Sequence, residues 1–258
     1  MKKVFLNSIA IIALLSCGGF AQAISPTAQA DLTERLRVEA EGFKHDIATL
    51  HGESLVEAAN IIVGSGVSDP ELYKVVDAKV NEVYQQHLRS PKDKNIALEL
   101  VSLIRAYASI DPQSRSLLEQ ILNVSKYRAV RERAVRLLPK LYWFAQRNSL
   151  MQKPDFYEPG QDLMTYRFMN LITSNDPVMR RYAAEEINRR KGAEPIVYKT
   201  MAEKLEKDKN SVGGDVDLDA YAWFCKILRD YDRPNSSQLL MALTNDPTVN
   251  KKIKKYTK

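Results

Sequence analysis

The sequence predicts an all-α fold on three observations. Apolar residues recur at helical spacing through nearly all of the chain after residue 24. Ten glycines and eleven prolines among 258 residues fall mainly between those periodic segments, not inside them. Asp-Pro dipeptides at Asp69-Pro70, Asp111-Pro112, Asp176-Pro177 and Asp246-Pro247 each set a capping side chain before the one residue pre-shaped for a first helical position.

At the start, Lys2 and Lys3 precede an apolar run from Val4 to Leu15 and then small residues, the pattern of a secretory signal, so residues 1–23 are set aside from the fold. The run is shorter than the ~20 apolar residues a membrane-spanning helix needs. Two cleavage sites compete. Ala21-Gln22-Ala23 is the small-x-small pattern of ordinary signal cleavage, whereas Leu14-Leu15-Ser16-Cys17-Gly18 resembles a bacterial lipobox, which would remove 1–16 and make Cys17 the lipid attachment site. Either way the chain is expected outside the cytoplasm, in the periplasm or on the periplasmic face of the outer membrane.

An N-terminal helical half is expected over 24–150. Ile24 to Ala30 read as a short tether, and a helical pattern begins at Asp31 with Leu32, Leu36, Val38, Phe43, Ile47 and Leu50 inward. After Gly52 and the Gly64-Ser65-Gly66 cluster, Ser68 and Glu71 have the spacing of a capping box ahead of Leu72, Val75, Val76, Val80 and Val83. Ser90-Pro91 breaks that helix. The next apolar face, with Ile96, Leu98, Leu100, Val101, Leu103, Ile104 and Tyr107, is broad enough for burial on more than one side. From Ser125 to Asn148 the pattern is longest, and Pro139 inside it predicts a kink or a break.

Residues 151–162, with Pro154, Pro159 and Gly160, read as a loop, and 163–258 as a C-terminal helical half. Leu163, Met164, Phe168, Leu171 and Ile172 share one helical face before the turn Ser174-Asn175-Asp176-Pro177. In the following helix Met179, Ala183, Ala184 and Ile187 share a face, and the two alanines permit close approach of a neighbour. Ala193 to Asp208 predicts another helix with Ile196, Val197, Met201, Ala202 and Leu205 inward. Asn210 to Asp217 reads as a loop before a helix over Tyr221 to Tyr231.

The stretch from Gln161 to Lys191 resembles the HEAT family of α-solenoid repeats. That family's second helix carries an aspartate, then an aliphatic residue, an arginine, paired alanines and a further aliphatic, here Asp176, Met179, Arg180, Ala183, Ala184 and Ile187. A second copy lies upstream in Val130, Arg131, Ala134, Val135 and Leu138, with Tyr127 in the aspartate's place. The resemblance implies a HEAT-like solenoid of stacked antiparallel helix pairs. It gives Asp176, Arg180, Ala183, Ala184 and Arg131 structural roles and carries over no catalytic residue.

Searches for chemistry yield no catalytic or metal-binding set. Val63 and Val67 flank Gly64-Ser65-Gly66, so it is no G-x-S-x-G elbow, and no phosphate-binding glycine loop occurs. His45, His51 and His87 lack the i,i+4 spacing of a helical zinc pair and read as solvated. A calcium loop starting at Asp215 would need glycine where Ala220 stands and glutamate where Lys226 stands, so Asp217 or Asp219 reads as a helix cap. With Cys17 in the leader or lipidated, Cys225 has no partner for a disulfide and reads as a small buried hydrophobe.

No cofactor is expected, and the remaining candidates are binding surfaces. Tyr142-Trp143-Phe144 and Tyr221-Ala222-Trp223-Phe224 cannot turn every ring inward, so Trp143 and Trp223 are candidate interface anchors, with packing between repeats as the other role open to them. The net charge of +6 includes a terminal concentration at Lys251, Lys252, Lys254, Lys255 and Lys258. Those lysines read as a charged cap over the last apolar face, with anionic lipid or acidic partners as further contacts. The expectation is a non-enzymatic scaffold making protein–protein contacts in the bacterial envelope, in a secretion or assembly complex, with no nucleic-acid partner. An enzyme or ligand-binding protein with a site in the concave groove and a periplasmic chaperone are the other readings.

Overall fold

Helices take up most of the described chain, residues 24–211 and 213–258 of a computed structural model, and no strand occurs among them. Residues 1–23, where the signal segment and Cys17 were expected to act, lie outside the described residues. No helix among the described residues is long and apolar enough to cross a membrane.

The first helix, α1 (Pro26–Thr49), begins at Ser25, whose hydroxyl accepts the Ala28 amide hydrogen at 3.2 Å. The expected tether is therefore the first turn of this helix, because Ser25-Pro26 is itself a cap followed by proline. Its buried seam follows Leu32, Ala40 and Ile47, and Val38, half a turn from Leu36, is 54% exposed instead of inward. The second helix, α2 (Gly52–Ser65), ends at Gly66 with φ +73°, where an added Cβ would meet Met151 Sδ at 2.5 Å. Only glycine fits both the left-handed turn and that approach.

Asp69, not Ser68, caps α3 (Pro70–Arg89): its carboxylate accepts the Leu72 amide hydrogen at 2.7 Å, while the Ser68 hydroxyl donates to the Ile110 carbonyl at 3.0 Å. The capping box fails because Pro70 fixes the first helical position one residue later than expected. Asp93 caps α4 (Lys94–Ile110), on which Leu98 is exposed at 54%, outside the buried face of Ala97, Leu100 and Ile104. A 3-10 turn at Pro112–Ser114 leads into α5 (Arg115–Val124) and then α6 (Arg128–Leu137). Around Pro139, which has no N–H to donate, the chain makes a 3-10 turn and restarts as α7 (Leu141–Met151). Val135 is exposed.

The C-terminal part comprises α8 (Leu163–Thr173), α9 (Pro177–Arg190), α10 (Pro195–Asp208), α11 (Asp215–Tyr231), α12 (Arg233–Asn245) and the short α13 (Lys251–Lys254). Ile196 on α10 faces solvent, at 41% exposure, contrary to its expected inward position, because the seam runs through Val197, Met201 and Leu205. Helix α11 starts within the expected loop, at Asp215, and has no side-chain cap; Asp217 and Asp219 lie inside its opening turns and pair with Arg180 and Arg181 instead.

Two large apolar clusters form, one from Ala40 to Phe144 and one from Met151 to Ile253, with Trp143 packed against both. Principal contacts run between helices one to three places apart in the chain. A longer-range clasp joins α1 to the C-terminal part. Ala28 and Leu32 pack with Tyr157 and Tyr166, and Arg167 Nη1 and Nη2 donate to Glu39 at 2.8 and 2.6 Å. Arg35 adds a hydrogen bond to the Tyr157 hydroxyl at 3.1 Å, and that hydroxyl donates to Asp31.

Candidate binding groove

A concave groove of about 960 Å³ opens where the two clusters meet. Its walls are built by α2 through Asn60, Val63 and Gly64, α4 through Arg105, α6 through Arg133, Arg136 and Leu137, and α7 through Trp143, Phe144 and Arg147. Facing them, α9 contributes Val178, Arg181, Tyr182, Glu185, Glu186 and Arg189, and α11 contributes Val216. Gly64 permits the approach of α2 to α9, since an added Cβ there would stand 3.1 Å from Glu186 Oε1.

The lining carries seven cationic side chains, Lys140 among them, against two carboxylates. Both carboxylates are already engaged. Arg181 Nε donates to Glu185 at 2.8 Å, and Glu186 accepts from Arg189 Nε at 2.9 Å and Arg190 Nε at 3.2 Å. Burial opposes ionisation of Glu186, yet those two arginines hold its carboxyl below the usual range. The α9 wall is thus close to electrically balanced.

The opposite wall is not. Arg105 reaches only Asn60 Oδ1, at 3.4 Å, and Arg136 reaches Glu132 only at 4.0 Å. Arg133 and Lys140 form no ion pair among the described residues. Burial, reinforced by repulsion from Arg105 and Arg136, pushes the Arg133 guanidinium below its ordinary value.

Arg147 lies at the floor and is only 1% exposed. Its Nε and Nη2 donate to Asn148 Oδ1 at 3.0 and 2.7 Å, and its Nη1 to the Tyr182 hydroxyl at 3.3 Å, all neutral acceptors. The guanidinium is ringed by Trp143, Phe144 and Tyr182, at 5.4, 5.0 and 5.5 Å from the ring centroids. Burial above all lowers its basicity, with Arg105 adding repulsion and Tyr182 and Glu186 partly opposing both. Cation–π attraction helps hold such a charge but does not neutralise it.

Of the candidate interface anchors read from the sequence, Trp143 lies in this groove. It meets Phe144 and Tyr182 edge to face at 5.2 and 5.1 Å, and its indole N–H is buried with no acceptor among the described residues. Trp223 lies apart, half-buried on the C-terminal cluster with Lys226 Nζ 4.4 Å from its ring centroid. In the first aromatic cluster the ring that leaves the core is Tyr142, 79% exposed.

The repeat-type residues hold turns. Asp176 accepts the Val178 amide hydrogen at 2.8 Å, and Ala183 and Ala184 are fully buried. Arg180 donates to the Ser174 carbonyl at 2.6 Å and pairs with Asp217. Arg131 makes the same bond six residues back, to the Ser125 carbonyl at 2.9 Å. Ser125 and Ser174 match as well, each hydroxyl accepting the amide hydrogen two residues on, from Tyr127 and Asp176.

His87 is buried, not solvated: its Nε2 lies 3.2 Å from Ser125 Oγ under the edge of Tyr127, because α3 ends beneath the α5–α6 turn. Burial pushes the Cys225 thiol up to about 12, so it is no nucleophile near neutral pH. Among the terminal lysines, Lys252 pairs with Asp219 at 3.2 Å, and Ile253 between them is buried.

Arg105, Arg133, Lys140 and Arg147 were not singled out from the sequence, but a signal exists. None has an aspartate or glutamate three or four residues away, the positions where a solvated helix finds its ion-pair partner. Arg147 has Trp143, Phe144, Leu150 and Met151 there instead, which directs it toward the apolar face. No protein-family model matches the chain, nor does any curated protein or solved structure.

Proposed function

We propose that the chain is a non-enzymatic, HEAT-like helical-repeat scaffold of the bacterial envelope, an accessory subunit of a secretion or assembly complex that docks a partner protein in the basic groove. The observation that carries this reading is the choice of lining helices. Residues from α2, α4, α6, α9 and α11 meet in one groove, and these are the later members of the successive pairs α1–α2, α3–α4, α5–α6, α8–α9 and α10–α11; α7, which stands between the third and fourth pairs, and the turn before it complete the lining. A stacked repeat array presents one helix of each pair to its concave side, so a groove lined in this way is what stacking would produce. The matched Ser125–Arg131 and Ser174–Arg180 turns support two copies of one unit.

The envelope part of the proposal rests on the signal-type start, with lipidation at Cys17 or cleavage before Ile24 as its two forms. Location and architecture together favour a scaffold by analogy, not by residue chemistry. The test is purification in mild detergent at native abundance followed by mass spectrometry of intact chain and partners. The expected result is a processed N-terminus and an envelope complex that Arg133→Glu disperses while circular dichroism and melting stay unchanged. A solitary monomer that turns over a small substrate, with turnover lost on the same substitution, would replace the scaffold by an enzyme.

A further inference from the structure

Building on the groove as a docking surface, we propose that its occupant is an extended protein segment rich in aspartate and glutamate. Charge asymmetry is the ground for this. On the α9 wall each carboxylate is matched by an arginine of its own helix, whereas on the α4–α6–α7 wall Arg105, Arg133, Lys140 and Arg147 have no acidic partner among the described residues. A solvated face does not explain Arg147, which is 1% exposed and hydrogen-bonded only to neutral groups. An unneutralised guanidinium beneath the floor is poorly screened by water and raises the positive potential of the space above it. The crowding of Arg133 against Arg105 and Arg136 works in the same direction.

Shape and lining select among anions. At about 960 Å³, crossing helices from α2 to α11, the groove is far larger than one small anion, so a polymer is required to meet the scattered cations together. Val63, Leu137, Val178 and Val216 share the lining with the cations. Apolar lining of that kind accepts the aliphatic side chains and stems of a peptide, and an inorganic phosphate chain has no apolar part to match it. Trp143 and Tyr182 add aromatic surface of the sort that anchors peptide side chains. An extended segment alternates its side chains, so carboxylates facing the α6–α7 wall leave the intervening residues toward α9.

The test uses the purified chain and a fluorescent synthetic peptide alternating glutamate with valine, read by anisotropy at low and high salt. Binding that weakens steeply with salt, and at least tenfold in Arg133→Glu/Lys140→Glu, is the expected result, with the matched glutamine–valine peptide not bound. The milder Arg133→Gln/Lys140→Gln should give an intermediate loss, which guards against misfolding of the reversal variant. Tighter binding of polyphosphate or single-stranded DNA overturns the proposal in favour of a phosphate polymer, and equal binding of the glutamine peptide removes its electrostatic basis. If Arg133→Glu disperses the native complex while no glutamate peptide binds, the docking surface stands and the acidic occupant falls. If the complex survives that substitution, both fall.

Discussion

Replacing Glu39 by alanine tests the clasp that fixes α1 to the C-terminal part. Arg167 is fully buried, and its two terminal nitrogens reach the Glu39 carboxylate at 2.8 and 2.6 Å across 128 positions of sequence. Burial works against the Arg167 charge, and Glu39 more than offsets it, holding the guanidinium above its ordinary value. Removing one partner of a buried pair costs ~3–5 kcal/mol, because the other charge stays desolvated. Glu39 is 17% exposed, so some water follows into the space it leaves, which puts the cost near ~3 kcal/mol. For a chain of this size that is roughly 6–12 °C in melting temperature. Thermal and urea melts of Glu39→Ala measure it. Glu39→Ala combined with Arg167→Met should recover most of the loss, since the orphaned charge is then gone. A Glu39→Ala protein melting within about 2 °C of the parent would show that Arg167 finds other solvation and that the clasp does not govern stability.

Two further outcomes follow from the turns. Asp176→Ala should cost ~1 kcal/mol, a few degrees of melting temperature, because it removes the acceptor for the Val178 amide and none of the groove's cations. A variant that melts like the parent yet loses its partner would make Asp176 a binding residue. Burial holds the His87 imidazole below its ordinary pKa, so the unfolded chain takes up a proton that the folded chain refuses. Stability from this residue is complete above pH ~6.5 and falls as the pH drops below it, by up to ~1.4 kcal/mol per pH unit until the folded value is reached. Urea midpoints at neutral and mildly acid pH should separate the parent from His87→Gln, and parallel pH profiles would refute the assignment.

The helical class was legible because its signals are local. Asp69 and Asp176 cap the helices that their positions announce, and Ala183 and Ala184 lie on the seam that their spacing announces. Where expectations failed, a neighbouring local signal or a distant packing partner decided. Ser25-Pro26 outweighed the flexible look of the surrounding segment, and Asp69 beside Pro70 outweighed Ser68 and Glu71. No local pattern states that His87 will lie under the α5–α6 turn, or that Glu39 will meet Arg167. The groove was hidden for a similar reason. Its cations come from α4, α6, the 3-10 turn after α6, α7 and α9, and a charged residue on an amphipathic helix ordinarily marks the solvated face.

Arg147 has a structural duty that must be separated from its charge. It holds Asn148 Oδ1, and Asn148 Nδ2 donates to the Ser109 carbonyl at 2.7 Å and the Val67 carbonyl at 3.3 Å, tying α7 to the ends of α4 and α2. That network accounts for a donor at this position. It does not account for a cation, since a neutral donor would satisfy the same acceptor without the desolvation cost of a buried charge. Nor does it reach Arg133 or Lys140, which share no hydrogen bond with it and still face the same space. Independent side chains on successive helices converge on one sign of charge while the adjacent wall is neutralised by its own helix. Fold stability alone favours the reverse, local pairing on every wall, and under the docking proposal the unpaired wall is where the requirements of stability would yield to those of binding.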